Sequence, residues 1–158
     1  MALADILRTL LHHRVDFVVV GGMAAVLQGA PVHTFDIDIV YSRAEDNVAR
    51  LLAALHDLDA VFRTDPRRLV PNESHLFSAG HKLLSTRHGV LDVLGTIEED
   101  TSYEDLLPDA LWLEVAGSPI RVLSLERLIR IKEKLTRPKD RAMLLVLKAT
   151  LEEKRRPQ

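Results

Sequence analysis

Two aspartates one residue apart, Asp36 and Asp38, are the side chains whose type and spacing first suggest chemistry. They interrupt the otherwise apolar run 35–41, which predicts a β-strand. Because side chains alternate between the two faces of a strand, both carboxylates should point to one side, and Phe35 and Ile37 to the other. Adjacent carboxylates repel each other unless a cation lies between them, and such oxygen ligands suit Mg²⁺ or Mn²⁺. The pair therefore predicts a divalent-metal site that also binds substrate phosphates.

A glycine turn precedes this pair. The apolar run 16–20 predicts a buried strand that ends in Gly21-Gly22, and the Ala-rich residues after it predict a helix to about Gly29. The start of a helix carries unpaired N–H donors and roughly half a positive elementary charge, which favours an anion such as a triphosphate. A dinucleotide-binding fingerprint does not fit, because the Gly-x-Gly-x-x-Gly spacing is missing.

A third carboxylate, Asp92, lies in an apolar run of its own. The strand-like runs on both sides of 87–89 predict a β-hairpin whose second strand contains this residue. A charge in apolar surroundings needs a partner, so we expect Asp92 to meet a cation or a hydrogen-bond donor. If its strand lies beside that of Asp36 and Asp38, the three carboxylates could hold two metal ions and orient a hydroxyl for in-line attack. The alternative is an aspartate at a strand end that faces solvent.

The C-terminal part of the chain predicts a pair of helices from about residue 124. Ser124 is a typical N-cap residue, and Pro138 is suited to the first turn of a second helix. Most of the basic residues here are expected on a solvated face. Lys132 and Asp140 are the candidates for function, since a lysine beside a triphosphate can neutralise the charge that develops during transfer.

The other segments predict supporting structure. The predictions are an N-terminal amphipathic helix to about Arg14, a helix over 44–58, a mobile loop or flap over 59–75, a short helix over 102–107 and a hairpin of 111–116 with 119–123.

Length and composition exclude several classes of protein. The chain has 158 residues, which predicts one domain spanning 1–158. It contains no cysteine, which excludes disulfides, Cys-ligated zinc and a thiol nucleophile, and is compatible with a reducing cytoplasm. No apolar run approaches the roughly 18 residues of a membrane helix, so we expect a soluble cytoplasmic protein with no membrane contact. The net charge of −2 provides no general attraction for nucleic acid, so any such contact must be local.

Four segments taken together resemble the minimal nucleotidyltransferases of the DNA polymerase β superfamily. They are 18–22, 34–38, 91–95 and 123–140. The closest likeness is to AbiEii-type toxin-like proteins, and it covers almost the whole chain. The resemblance implies an α+β fold, with a mixed β-sheet flanked by helices and a C-terminal helical pair. It also implies transfer of a nucleoside monophosphate from an NTP to an acceptor hydroxyl.

The resemblance also implies roles for particular residues. Those roles are Mg²⁺ or Mn²⁺ binding by Asp36, Asp38 and Asp92; nucleotide binding by Gly21, Gly22, Thr34 and Lys132; and catalysis by the three aspartates with Lys132 and Asp140. Two positions depart from the superfamily pattern. Met23 stands where a serine is common, and Val32 stands where an arginine is often found.

Two classes of function stay open at this point. The first is a nucleotidyltransferase whose expected acceptor is RNA, such as a tRNA 3′ end, in the role of a toxin of a toxin–antitoxin pair. An antibiotic or a protein side chain is the next acceptor. The second is a nucleotide- or partner-binding module that keeps the fold without turnover. In that case the replacement of the common serine and arginine by Met23 and Val32 would reflect the loss of catalysis. Because no large appended domain is present to grip an acceptor, an antitoxin, another protein or a second copy of the chain could complete the cleft.

Overall fold

The computed structural model describes residues 2–157. The helices are α1 (Ala2–His12), α2 (Gly21–Leu27), α3 (Glu45–Asp57), α4 (Glu73–Phe77), α5 (Tyr103–Leu106), α6 (Leu125–Glu133) and α7 (Pro138–Arg155), with a 3₁₀ turn at Leu107–Asp109. The strands are β1 (Phe17–Val20), β2 (Ile37–Tyr41), β3 (Val61–Phe62), β4 (His81–Thr86), β5 (Gly89–Leu94), β6 (Thr96–Ile97), β7 (Thr101–Ser102), β8 (Ala110–Val115) and β9 (Ser118–Leu123).

Seven of these strands form one mixed sheet in the order β3-β4-β5-β2-β1-β9-β8. The pairs β2–β5 and β1–β9 are parallel, and the other neighbouring strands are antiparallel. Strands β6 and β7 form a separate two-stranded sheet. Helices cover the sheet, which confirms the predicted α+β fold with a mixed sheet and flanking helices.

The central strands β1, β2 and β5 are buried because their sequences are almost entirely apolar and β-branched, as in sheets covered on both faces. Val18, Val19, Ile39 and Val93 are each 0% exposed. Register then sets the position of the polar residues, since Asp38 is paired with Val20 of β1 and with Asp92 of β5. The sheet therefore brings the glycine turn and these two carboxylates to one end of three neighbouring strands.

The C-terminal helices form as predicted. The Ser124 hydroxyl accepts a hydrogen bond from the Arg127 amide at 3.2 Å and caps α6, and Pro138 is the first residue of α7. Helix α6 packs against both α7 and α2. Within residues 2–157, every helix is too short or too polar to cross a membrane.

Two local predictions were wrong. Strand β2 begins at Ile37 rather than at Phe35, and its pairing with β1 ends at Asp38, opposite Val20. Phe35 is consequently 89% exposed instead of lying on the buried face. The second error is the loop over 59–75, which contains β3 and the start of α4. Its Asn72 side chain caps α4 and its Val61 pairs with β4, although a gating motion of this segment stays a prediction.

Candidate active site

Asp38 and Asp92 lie side by side on adjacent parallel strands, and Asp38 is paired on its other side with Val20, the residue before the glycine turn. Asp36 lies two residues before Asp38 and is exposed, and its charge acts on the Asp38 carboxyl. The three aspartates therefore lie near one another, because the strand of Asp92 is next to that of Asp38 as the sequence analysis considered. Within residues 2–157, however, no group of three or more His, Asp or Glu side chains converges on a position for one metal ion.

The surroundings of Asp38 disfavour its charge. Burial, followed by the charge and hydrogen bonding of Asp92 and then the charge of Asp36, raises the pKa of Asp38 from 3.8 to about 6, while Arg63 acts in the opposite direction. Neighbouring carboxylates ionise together only when a cation compensates them. The oxygen donors of Asp36 and Asp38 thus suit a hard divalent ion such as Mg²⁺ or Mn²⁺.

The glycine turn packs directly against this carboxylate. Gly21 has φ +66°, a backbone conformation that residues other than glycine rarely adopt. A Cβ at this position would lie 2.5 Å from Asp38 Oδ2. A Cβ on Gly22 would lie 3.4 Å from the Thr34 Cβ, so Thr34 borders the turn on its other side. The backbone predicted to bind triphosphate therefore lies against the carboxylate predicted to bind metal.

Arg63, which the sequence analysis did not single out, is the partner of Asp92. Its Nη1 donates to Asp92 Oδ1 at 2.8 Å, and its Nη2 lies 3.4 Å from Oδ2. The hydrogen bond with Asp92 raises the pKa of Arg63. This ion pair confirms the expectation that Asp92 meets a cation. The sequence indicated only that Asp92 needed a partner. It did not identify Arg63, because this residue lies in the segment predicted to be a loop.

Lys132 and Asp140 form an ion pair between α6 and α7. Lys132 Nζ lies 2.8 Å from Asp140 Oδ1, and Arg137 Nε donates to Oδ2 at 2.7 Å. Hydrogen bonds from these two cations hold the pKa of Asp140 below its usual range. Asp140 is 1% exposed and contacts Lys132, which lines the cleft described next. A direct catalytic role for Asp140 stays a prediction.

A cleft with about 660 Å³ of empty space, including space open to solvent, lies over the glycine turn. Its polar lining consists of Gly21, Gly22, Asp38 and Lys132. The rest of its wall is apolar and consists of Val20, Ala25, Leu94, Ile97, Leu128, Ile131, Met143 and Leu147. Such a cleft offers N–H donors to an anionic group and an apolar wall to a flat ring system.

Solved structures with the same architecture identify the fold. A candidate nucleotidyltransferase from Thermotoga maritima is 22% identical, with a TM-score of 0.58 over 96% of this chain and 91% of that one. The lincosamide antibiotic adenylyltransferase LnuA, with lincomycin bound, is 18% identical, with a TM-score of 0.65 over 94% and 96%. ANT(2″)-Ia in complex with adenylyl-2″-tobramycin is 15% identical, with a TM-score of 0.60 over 94% and 87%. The fold is therefore that of the nucleotidyltransferases.

The family follows from the sequence match. The family model of the aminoglycoside-2″-adenylyltransferases matches residues 2–140, so the chain belongs to that family and is a nucleotidyltransferase. No curated protein matches the chain. The resemblance to the polymerase β superfamily is thereby confirmed at the level of the enzyme class.

Proposed function

We propose that this protein transfers AMP from ATP to a hydroxyl group of a small cationic acceptor of the aminoglycoside type. The observation that carries the proposal is the placement of Asp38 against the Gly21 backbone in the wall of the cleft, with Asp92 beside it on the neighbouring strand. The family match supports the same reaction and the same class of acceptor.

The cleft fits the two halves of a nucleotide. Gly21, Gly22 and Lys132 would contact the triphosphate, with Thr34 beside the turn, because backbone N–H groups and an ammonium group both favour phosphate oxygens. The apolar wall formed by α6, α7 and the end of β5 would pack against the base. Asp140 would keep the Lys132 ammonium at the cleft wall through its 2.8 Å contact.

The carboxylates would divide the chemistry between them. Asp36 and Asp38 would hold Mg²⁺ or Mn²⁺, which when bound neutralises charge on the triphosphate. Asp92 would accept the proton of the acceptor hydroxyl, whose oxygen attacks the α-phosphorus as the bond to pyrophosphate breaks. Lys132 would stabilise the negative charge that develops on the departing pyrophosphate.

The charges around the cleft favour a cationic acceptor over RNA. Arg63 is paired with Asp92, Lys132 with Asp140, and Arg127 with Glu98, so these cations are already engaged by carboxylates. Asp36, by contrast, is exposed, and its charge acts on Asp38 in the cleft wall. RNA binding depends on cationic side chains that can contact phosphates. A positively charged antibiotic is the better match to these carboxylates.

The finer resemblance to AbiEii-type proteins supports a different acceptor. RNA or a tRNA 3′ end as substrate, a toxin role and an antitoxin partner all depend on that resemblance, and they stay predictions. A homodimer or another protein partner is likewise a prediction. The binding module without turnover is the remaining alternative.

One experiment separates these functions. The protein is incubated with ATP labelled at the α-phosphate, Mg²⁺ and, in separate reactions, tobramycin, lincomycin or total cellular RNA. We expect label on tobramycin, loss of labelling in Asp36→Asn, and unchanged labelling in Glu45→Gln, which alters an exposed carboxylate of α3. Label on RNA alone would overturn the small-molecule acceptor. ATP binding without transfer to any acceptor would instead establish the binding module.

A further inference from the structure

We propose that Arg63 takes the place of a second metal ion, so that the site binds a single divalent ion through Asp36 and Asp38, and Asp92 is not a metal ligand. This inference rests on the proposed function and concerns the same site. It departs from the expectation that the three carboxylates hold two ions.

Both oxygens of Asp92 face the guanidinium group. The distances are 2.8 Å from Nη1 to Oδ1 and 3.4 Å from Nη2 to Oδ2, and the arginine fork matches a carboxylate in this way. Asp92 itself is 8% exposed. A metal ion on Asp92 would share these two oxygens with the guanidinium, whose fixed positive charge would repel it.

The fold also holds Arg63 in this position independently of Asp92. Its backbone N–H donates to the Leu83 carbonyl at 2.9 Å, and Nη1 also donates to the Leu84 carbonyl at 2.8 Å. Leu83 is the register partner of Asp92 across β4 and β5, so the pairing of β3 with β4 brings the arginine to this carboxylate. Displacement of the side chain would therefore break its hydrogen bond to Leu84 as well as the ion pair.

The positive charge of Arg63 interacts with all three carboxylates, and most strongly with Asp92, to which it is hydrogen-bonded. A two-metal site places a second ion roughly 3.5–4 Å from the first to stabilise the attacking and leaving oxygens. A guanidinium, which stays charged at every physiological pH, supplies a fixed positive charge beside the same carboxylate. Arg63 would thus be a positioning residue that orients Asp92 toward the acceptor hydroxyl.

The test uses Mn²⁺ and a non-hydrolysable ATP analogue with the full-length protein, read by electron paramagnetic resonance and by counting bound Mn²⁺. For wild type and Arg63→Lys we expect about one Mn²⁺ per chain and the spectrum of an isolated ion. For Arg63→Gln we expect about two and the spectrum of a coupled pair, because Asp92 is then free. Arg67→Gln is the matched control, since this exposed arginine of the same segment pairs with Asp65, and it should behave as wild type.

Asp92→Asn provides a second measurement that does not depend on the folding of Arg63→Gln. It should leave the Mn²⁺ count and affinity unchanged, whereas Asp36→Asn should abolish binding. A coupled pair in wild type that Asp92→Asn converts to an isolated ion would overturn this inference and leave the proposed function standing. An isolated ion in folded Arg63→Gln would also overturn it. No Mn²⁺ binding by wild type would overturn both this inference and the metal site of the proposed function.

Discussion

Replacement of Asp38 by Asn should stabilise the metal-free protein at neutral pH, although it removes a residue of the proposed active site. Asp38 is partly buried beside Asp92 and near Asp36, and these surroundings raise its pKa from 3.8 to about 6. The ionised carboxylate is therefore a destabilising group in the folded protein. Asn has nearly the same volume, carries no charge, and its amide can donate a hydrogen bond to the Asp92 carboxylate.

The sign and size of the effect follow from proton linkage. The folded state binds the Asp38 proton more tightly than the unfolded state, so the free energy of unfolding of wild type falls as pH rises from about 4 to about 6. A tenfold difference in proton affinity corresponds to about 1.4 kcal/mol, which sets an upper bound of about 3 kcal/mol. Because the carboxyl is partly exposed, solvent screening reduces this to about 2 kcal/mol. Asp38→Asn should gain that amount above about pH 6 and almost nothing below about pH 4.

Urea unfolding in the presence of EDTA, at about pH 4 and about pH 7.5, measures the change in the free energy of unfolding. The control is Asp100→Asn, which alters an exposed carboxylate in the β6–β7 turn. The stability difference between Asp38→Asn and wild type should grow with pH, while that of the control should not. The reasoning is refuted if Asp38→Asn is less stable than wild type at neutral pH, or if its stability change is the same at both pH values.

Three further outcomes are expected. Mg²⁺ or Mn²⁺ should stabilise wild type, by about 2.7 kcal/mol at a concentration 100 times Kd, and Asp36→Asn should show no such rise in Tm; a rise of equal size in the variant would exclude this residue as a ligand. Asp92→Asn should retain ATP binding while transfer falls by about 10² to 10⁴, as single-turnover labelling can measure, and an unchanged rate would place Asp92 outside the chemistry. Gly21→Ala should lower the free energy of unfolding by at least about 1 kcal/mol, because Gly21 has a left-handed backbone conformation and a Cβ there would contact Asp38. Gly22→Ala should stay folded and bind ATP more weakly in a titration. Equal stability of the two variants would contradict the close packing at Gly21.

Local patterns in the sequence were sufficient for most of the elements and for part of the site. The β-branched runs predicted β1, β2 and β5, and the Ser124 cap and Pro138 predicted α6 and α7. The aspartates and the glycine turn could also be selected as candidates, because their chemistry depends on residue type and short spacing. The four ordered segments pointed to the enzyme class that the family match then confirmed.

Only the tertiary structure decided which of these groups meet. Asp38 and Asp92 are neighbours because β5 pairs in parallel with β2, and Arg63 reaches Asp92 because β3 adds to the far side of β4. Phe35 is exposed because β2 begins only at Ile37, so Phe35 is not part of the sheet. Each of these facts depends on strand order and register between segments far apart in the chain. Local periodicity indicates which face of a strand is apolar, but it carries no information on which strand lies next to it. For this reason the sequence predicted that a cation would lie beside Asp92, but it could not identify that cation as Arg63.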